Sequence, residues 1–207
     1  AIESHISRQF HTVLRRAINI GHVDTLPDGM SCFNPRHFEQ VLHREDYFSG
    51  PASPNLPAER TPVNWRQLDI RKTKWFYFEQ HRDFSTYEAP PQPHEAAFFS
   101  TQIRTPLDKK HFLCLSFRYF GYAPANYSIT AMNGVRDLVL TNFDLQLSPT
   151  ASDQRAHAQR RWPQAVASKG RSPSRWVYPE WRHGDQGASE PNIVILKTGS
   201  QPPPFTP

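Results

Sequence analysis

Residues 96–122, AAFFSTQIRTPLDKKHFLCLSFRYFGY, spell two strands of an antiparallel sheet joined by a short charged turn. Ala97, Phe99, Thr101 and Ile103 alternate with their neighbours, Pro106 to Lys110 break the run, and Leu113, Leu115, Phe117 and Tyr119 alternate again. Side chains of a strand point to opposite faces in turn, so a period of two marks two half-buried strands. The simplest fold built from such pairs is an all-β antiparallel sandwich, which leaves function to loops and faces.

Composition points the same way. The 207 residues suffice for one domain with a sizeable core. Only 37% of them are hydrophobic, and 14 Phe, 7 Tyr and 5 Trp carry much of the burial, as aromatic strands between long polar loops would. Twenty prolines against nine glycines imply extended connections rather than a helical bundle. No apolar run reaches the roughly 18 residues of a membrane span, and the opening AIESHISRQF lacks the apolar centre of a signal peptide.

Working outward, Ser7 to Ile20 places Phe10, Val13, Leu14 and Ile18 on one helical face and predicts a short N-terminal amphipathic helix. A turn-rich connection through Pro27, Asp28 and Gly29 follows, so residues 1–30 form a helix and connection, 31–199 the sandwich and 200–207 an extended proline-rich tail. Asn34-Pro35 is a helix start, with Phe38, Val41 and Leu42 facing inward. Pro51, Pro54, Pro57 and Pro62 read as extended loop as far as Trp65, and Lys74 to Gln80 as an aromatic strand. Tyr87 to His94 is a polar loop. Tyr127 to Met132 and Asp137 to Leu147 read as two strands turning at Asn133-Gly134, and Ser148 to Gln159 as loop. Trp162 to Ala167, Ser174 to Trp181 and Asn192 to Lys197 complete the expected strands. The N-terminal helix and the tail are expected as contact arms, because neither buries its apolar residues alone.

Cys32 and Cys114 are the two cysteines, with 81 residues between them. One disulfide between them would stabilise by about 4 kcal/mol in the chain-entropy account, and two reduced buried thiols fit the sequence equally well. Asn126-Tyr127-Ser128 is an N-glycosylation sequon. The net charge of +5 is uneven, with seven Arg or Lys and the single acid Glu180 between Arg155 and Arg182. There Trp162, Trp176, Tyr178 and Trp181 interleave with Arg160, Arg161, Lys169, Arg171, Arg175 and Arg182, a mixture suited to a polyanion. Sulfated glycan or single-stranded nucleic acid would meet paired charge and stacking surface there, against the plainer reading of a solvated basic loop.

Catalytic signatures are missing from the spelling. There is no His-x-x-x-His pair with an intervening Glu, no Cys-x-x-Cys, no Gly-x-Ser-x-Gly elbow and no phosphate-binding glycine loop. His81 with Asp83, His94 with Glu95, and His183 with Asp185 read as polar loop residues before they read as metal ligands. Glu79, Glu88, Glu95 and Asp144 are the acids from which a glycosidase would draw a pair.

The order of landmarks resembles the MAM domain, an extracellular jelly-roll-like β-sandwich. The resemblance rests on Cys32-Phe33 with Phe38 and Glu39, on Ala97 to Thr101 before CLSFRYFGY at Cys114 to Tyr122, and on GDQGASEPNIVILKTGS at 184–200. Arg118 stands where the family has Trp, and Val194 to Leu196 where its acidic pair falls. The resemblance implies a secreted or extracellular module for adhesion or assembly, with protein partners or self-association and no catalytic residues. The family usually has four cysteines, so a Cys32–Cys114 disulfide would be non-standard for it, while the Asn126 sequon adds the expectation of a glycoprotein and no cofactor is expected. No metal-binding residue carries over. Two alternatives stand beside it: a jelly-roll coat protein with a basic segment facing nucleic acid, and a glycan-active enzyme on a sandwich.

Overall fold

The computed structural model of the chain describes residues 12–47, 58–83, 99–121, 125–171, 174–175, 180–182, 193–195 and 205–206. Its centre is an antiparallel sheet. The strands are β1 (Thr12–His22), β2 (Ala58–Ile70), β3 (Thr73–Asp83), β4 (Phe99–Pro106), β5 (His111–Gly121) and the two-residue β6 (Ser174–Arg175), in the order β1-β5-β4-β3-β2-β6. Two short strands, β7 (Glu180–Arg182) and β8 (Ile193–Ile195), pair separately. Among the described residues three helices accompany them: α1 (Pro35–Tyr47), α2 (Ala125–Asn142) and α3 (Pro149–Arg161).

The opening pair forms as read, β4 on β5 with Ile103 opposite Leu115 and Thr101 opposite Phe117. Alternation then sorts the aromatics onto two faces. Phe76, Phe78, Phe112 and Cys114 form one cluster with Phe38, Val41 and Leu42 of α1 and with Trp65. Trp75, Tyr77, Ile103, Leu113, Leu115 and Phe117 form the other with Met132 of α2, joined by Ile129, Val139, Leu140 and Phe143. Each such side chain stabilises by roughly 1.5–3 kcal/mol when fully buried, so both faces hold a core. The expected β-rich antiparallel character stands. Among the described residues, however, the layers lying on the large sheet are helices, where a sandwich calls for a second sheet.

Five local expectations are corrected. The N-terminal helix is a strand from Thr12 to His22, because Ile18 and Ile20 satisfy a period of two as readily as a helical face, and β5 offers eleven backbone partners. Gly21 leaves room for the Phe112 ring opposite it, which would lie 2.2 Å from any Cβ there.

The segment read as two strands around Asn133-Gly134 is the single helix α2. Ile129, Met132, Val139, Leu140 and Phe143 recur at helical spacing and meet the sheet. Ser148 to Gln159, read as loop, is mostly helix α3. The Ser148 hydroxyl accepts the Ala151 amide at 3.2 Å, Pro149 opens the first turn, and only Ala151 and Ala158 are buried. Trp162 to Ala167 is irregular chain.

The long strand β2 covers Pro57-adjacent residues that read as loop. Pro62 falls where the pairing register shifts, between Arg60 and Val63, so its missing N–H costs the ladder nothing. In the tail, Thr206 exchanges two hydrogen bonds with the Gln40 side chain, at 2.7 and 2.9 Å. Phe205 packs on the α1 cluster, beneath the Arg44 guanidinium at 4.6 Å. The end of the tail is thus anchored on α1.

Candidate functional site

A cavity of about 300 Å³ opens at the end of the sheet where the β2–β3 hairpin turns. Its floor and walls come from five parts of the chain: Phe33 and Asn34 before α1, Lys72 and Lys74 of the hairpin, Thr105 of β4, Leu145 and Leu147 after α2, and Arg155 and Trp162 from α3 and its end.

Each part is fixed by local chemistry. Asn34 caps α1, its Oδ1 accepting the Arg36 amide at 2.9 Å, and Pro35 follows at the first helical position. The hairpin is a two-residue turn with Arg71 and Lys72 both left-handed, at φ 46° and 68°. Such turns favour Asn-Gly, and a left-handed backbone costs other residues about 1–2 kcal/mol each. What holds Arg71 there is its guanidinium, which donates to the Thr141 carbonyl at 2.7 Å in the last turn of α2. A cation at that end also meets the negative pole of the helix. Lys72 is thereby set on the cavity wall.

The described lining carries three cations, Lys72, Lys74 and Arg155, and no carboxylate. Its apolar part is aromatic, with Phe33, Phe76 and Trp162. The Arg161 guanidinium lies 4.7 Å over the Trp162 ring, and the His37 ring meets that ring edge-on at 5.0 Å. Burial, and then the Arg161 charge, push the His37 pKa down. A flat, partly apolar ligand bearing negative charge fits this lining.

A second polar constellation lies on the α2 face, near the other end of β3. Tyr77, Glu79 and His81 alternate onto that face. The Tyr77 hydroxyl donates to Glu79 Oε1 at 2.6 Å, Asn64 Nδ2 donates to Oε2 at 2.7 Å, and His81 Nε2 lies 2.9 Å from Oε2. Asn64 can reach because β2 bulges there, with Asn64 left-handed at φ 53°. Burial raises the Glu79 pKa, but the bonds from His81, Tyr77 and Asn64 together outweigh it, and the carboxyl is held below its ordinary value. Burial first, then the bond to Glu79, push Tyr77 up to about 12. Arg136 of α2 completes the group, donating to the Tyr77 oxygen at 3.2 Å and to Asn133 at 2.8 Å. The result is an ionised, saturated carboxylate, the opposite of a proton-donating catalytic acid.

The polyanion residues expected from the sequence lie on several elements. Arg160 and Arg161 end α3 beside the cavity, exposed. Lys169 is exposed, whereas Arg171 is half-buried, 3.4 Å from the Glu39 carboxylate and 5.9 Å over the Trp65 ring. Arg175 lies in β6 opposite Arg60, and Arg182 in β7 opposite Ile193. The cations that do share a wall, Lys72, Lys74 and Arg155, escaped the sequence reading. The left-handed turn gives no Asn-Gly signal, and Arg155 stood in a presumed loop.

Cys32 and Cys114 are both buried and neither is in a disulfide, so the bridge the pair allows is not made. Cys114 Sγ instead donates to Gln102 Oε1 at 3.2 Å. The sequon residue Asn126 is in the first turn of α2 rather than in a loop or strand. Of the acids weighed for glycoside chemistry, Glu79 is saturated and Asp144 is exposed after α2, while Glu88 and Glu95 lie outside the described residues. His94, His183 and Asp185 lie outside them too. Among the described residues no three His, Cys, Asp or Glu side chains group to hold a metal, and no helix is long and apolar enough to cross a membrane.

No family model, no curated protein and no solved structure matches the chain.

Proposed function

We propose that this chain is a non-catalytic binding module whose cavity beside the β2–β3 hairpin takes a sulfated sugar. One observation carries the reading: three cations and three aromatic rings share a cavity whose described walls hold no carboxylate. At about 300 Å³ it sits at the small end of ligand pockets, roughly 300–1,000 Å³, which suits one end of a glycan rather than a long stretch of it. The sulfate would pair with Lys72, Lys74 or Arg155, and the sugar ring would lie on Trp162.

The backbone strain at Arg71 and Lys72 supports the same reading. A turn that keeps two cations where glycine would be easier places charge at a cost in stability, a pattern typical of binding sites. An extracellular, adhesive setting, as the MAM resemblance and the Asn126 sequon imply, belongs to this proposal. Glycan occupancy at Asn126 after secretion from a eukaryotic host tests it.

The binding test is calorimetric titration with a sulfated disaccharide and its desulfated counterpart. The sulfated probe binds, with affinity falling as salt rises, and the desulfated one binds at least tenfold more weakly. Lys72→Ala with Lys74→Ala lowers affinity for the sulfated probe about tenfold or more, the worth of one or two charge-assisted hydrogen bonds. Equal binding of both sugars, or binding indifferent to the double variant, defeats the proposal.

A further inference from the structure

The two edges of the sheet are finished differently. At one edge β2 carries Pro62, two register shifts and the short covering strand β6. These are devices by which sheets avoid pairing with other chains. The opposite edge has none of them. β1 runs eleven residues against β5 without a break in register, from Thr12 opposite Gly121 to His22 opposite His111. Its sequence, TVLRRAINIGH, contains no proline, no lysine and no acid. Among the described residues no strand pairs with its outer side.

That edge also presents apolar surface. Ile18 and Ile20 stand opposite Leu115 and Leu113, so they belong to the α2 face of the sheet. Leu115 and Leu113 are buried there, yet Ile18 is 66% exposed and Ile20 67%. Two large β-branched side chains held in water on an edge with no proline, register break or covering strand among the described residues mark a surface for another strand.

We infer that the occupant is β1 of a second copy, paired antiparallel about a two-fold axis at Asn19. In this register Ile18 faces the partner's Ile20 and Ile20 faces the partner's Ile18. Four isoleucines then close over one another on one face, and Asn19 meets its own image. Charge favours the same arrangement. Arg15 and Arg16 lie at one end of the strand, and just past the other end is Asp24, whose side chain is 84% exposed. Antiparallel pairing brings the strand positions of Arg15 and Arg16 in each copy to the Asp24 end of the other, whereas parallel pairing would set the like-charged positions of the two copies at the same end. The contact is isologous and self-limiting, since each copy has one such edge. It joins the two sheets into one and leaves both cavities open, because no β1 residue lines them.

Light scattering on the full chain eluting from a sizing column decides the oligomeric state. The parent chain gives the mass of two copies, and Ile18→Lys with Ile20→Lys gives half that mass with an unchanged circular-dichroism spectrum. Asn19→Cys, under mild oxidation, gives a disulfide-linked dimer on a non-reducing gel, whereas the parent, whose two thiols are buried, does not. A one-copy mass for the parent at every concentration overturns the inference. So does the absence of a cross-link in Asn19→Cys, which settles the register even where the lysine variant fails to fold. Sugar binding in the monomeric variant is unchanged, so this test is separate from that of the cavity.

Discussion

Two polar networks lie on opposite faces of one sheet, with strand β3 common to both, and they solve the same problem in different ways. On the α1 face, Gln102 Nε2 is placed among Ser100 Oγ at 2.9 Å, Ser116 Oγ at 3.0 Å and Gln80 Oε1 at 3.2 Å, while its Oε1 accepts from Cys114. Every member is neutral and at least nine-tenths buried. On the α2 face, one residue out of phase, Glu79 gathers Tyr77, Asn64 and His81. A buried amide needs only partners, but a buried carboxylate needs partners that favour its charge. The neutral network is therefore blind to acid, and the charged one is not.

The largest effect separating them is expected at Glu79. Glu79→Gln sets an amide NH2 against donors that now point at a carboxylate, and costs about 1.5–3 kcal/mol at neutral pH, the range for hydrogen bonds to charged groups. The Glu79 pKa is lower folded than unfolded. Its stabilisation is therefore complete above the unfolded carboxylate value of about 4.3 and is lost as pH falls through the depressed folded value. Urea melts of parent and variant should converge as pH drops through that window, and a constant gap would refute the account.

A somewhat smaller loss is expected on the neutral side. Gln102→Met keeps the volume but strips Ser100, Ser116, Gln80 and Cys114 of a shared partner, at a cost of about 1–3 kcal/mol. That gap should stay constant across the acid range in which the Glu79 gap closes. The smallest effect lies outside both networks and serves as a control. Gly134 is exposed within α2 with open space around it, so Gly134→Ala should stabilise by about 0.5–1 kcal/mol at every pH. A destabilised Gly134→Ala would mean that the helix replacing the expected strand pair is misplaced.

Much of this fold was legible in the chain, and the failures have physical causes. The β4–β5 hairpin, β3 and α1 were each announced by local rules: alternation, aromatic content and an Asn-Pro cap. The capping rule that found α1 at Asn34-Pro35 would also have found α3 at Ser148-Pro149, had its polar face not argued for loop. In α2, alternation among Leu138, Leu140 and their neighbours outweighed the helical spacing from Ile129 to Phe143. In β2, Pro62 hid a strand whose irregular register tolerates it.

The candidate site was harder to see. Of its aromatic and cationic wall, only Trp162 stands out in the sequence as a ligand-stacking residue. Lys72 and Lys74 looked like ordinary residues flanking a strand.

By itself the sequence determined the elements whose physics is local, since a period of two, a cap or a proline acts within a few residues of itself. It likewise determined that this protein is aromatic-cored, basic and β-rich. Tertiary structure decided what depends on a neighbour. Pairing with β5 made Thr12–His22 a strand rather than a helix, and packing on the sheet made Ala125–Asn142 a helix rather than two strands. Closure of the chain brought Phe33, Lys72, Thr105, Arg155 and Trp162 to one cavity. Except for Arg155 and Trp162, those residues are too far apart in sequence for a local pattern to relate them, and only the shared sheet and its flanking helices fix the distances between them.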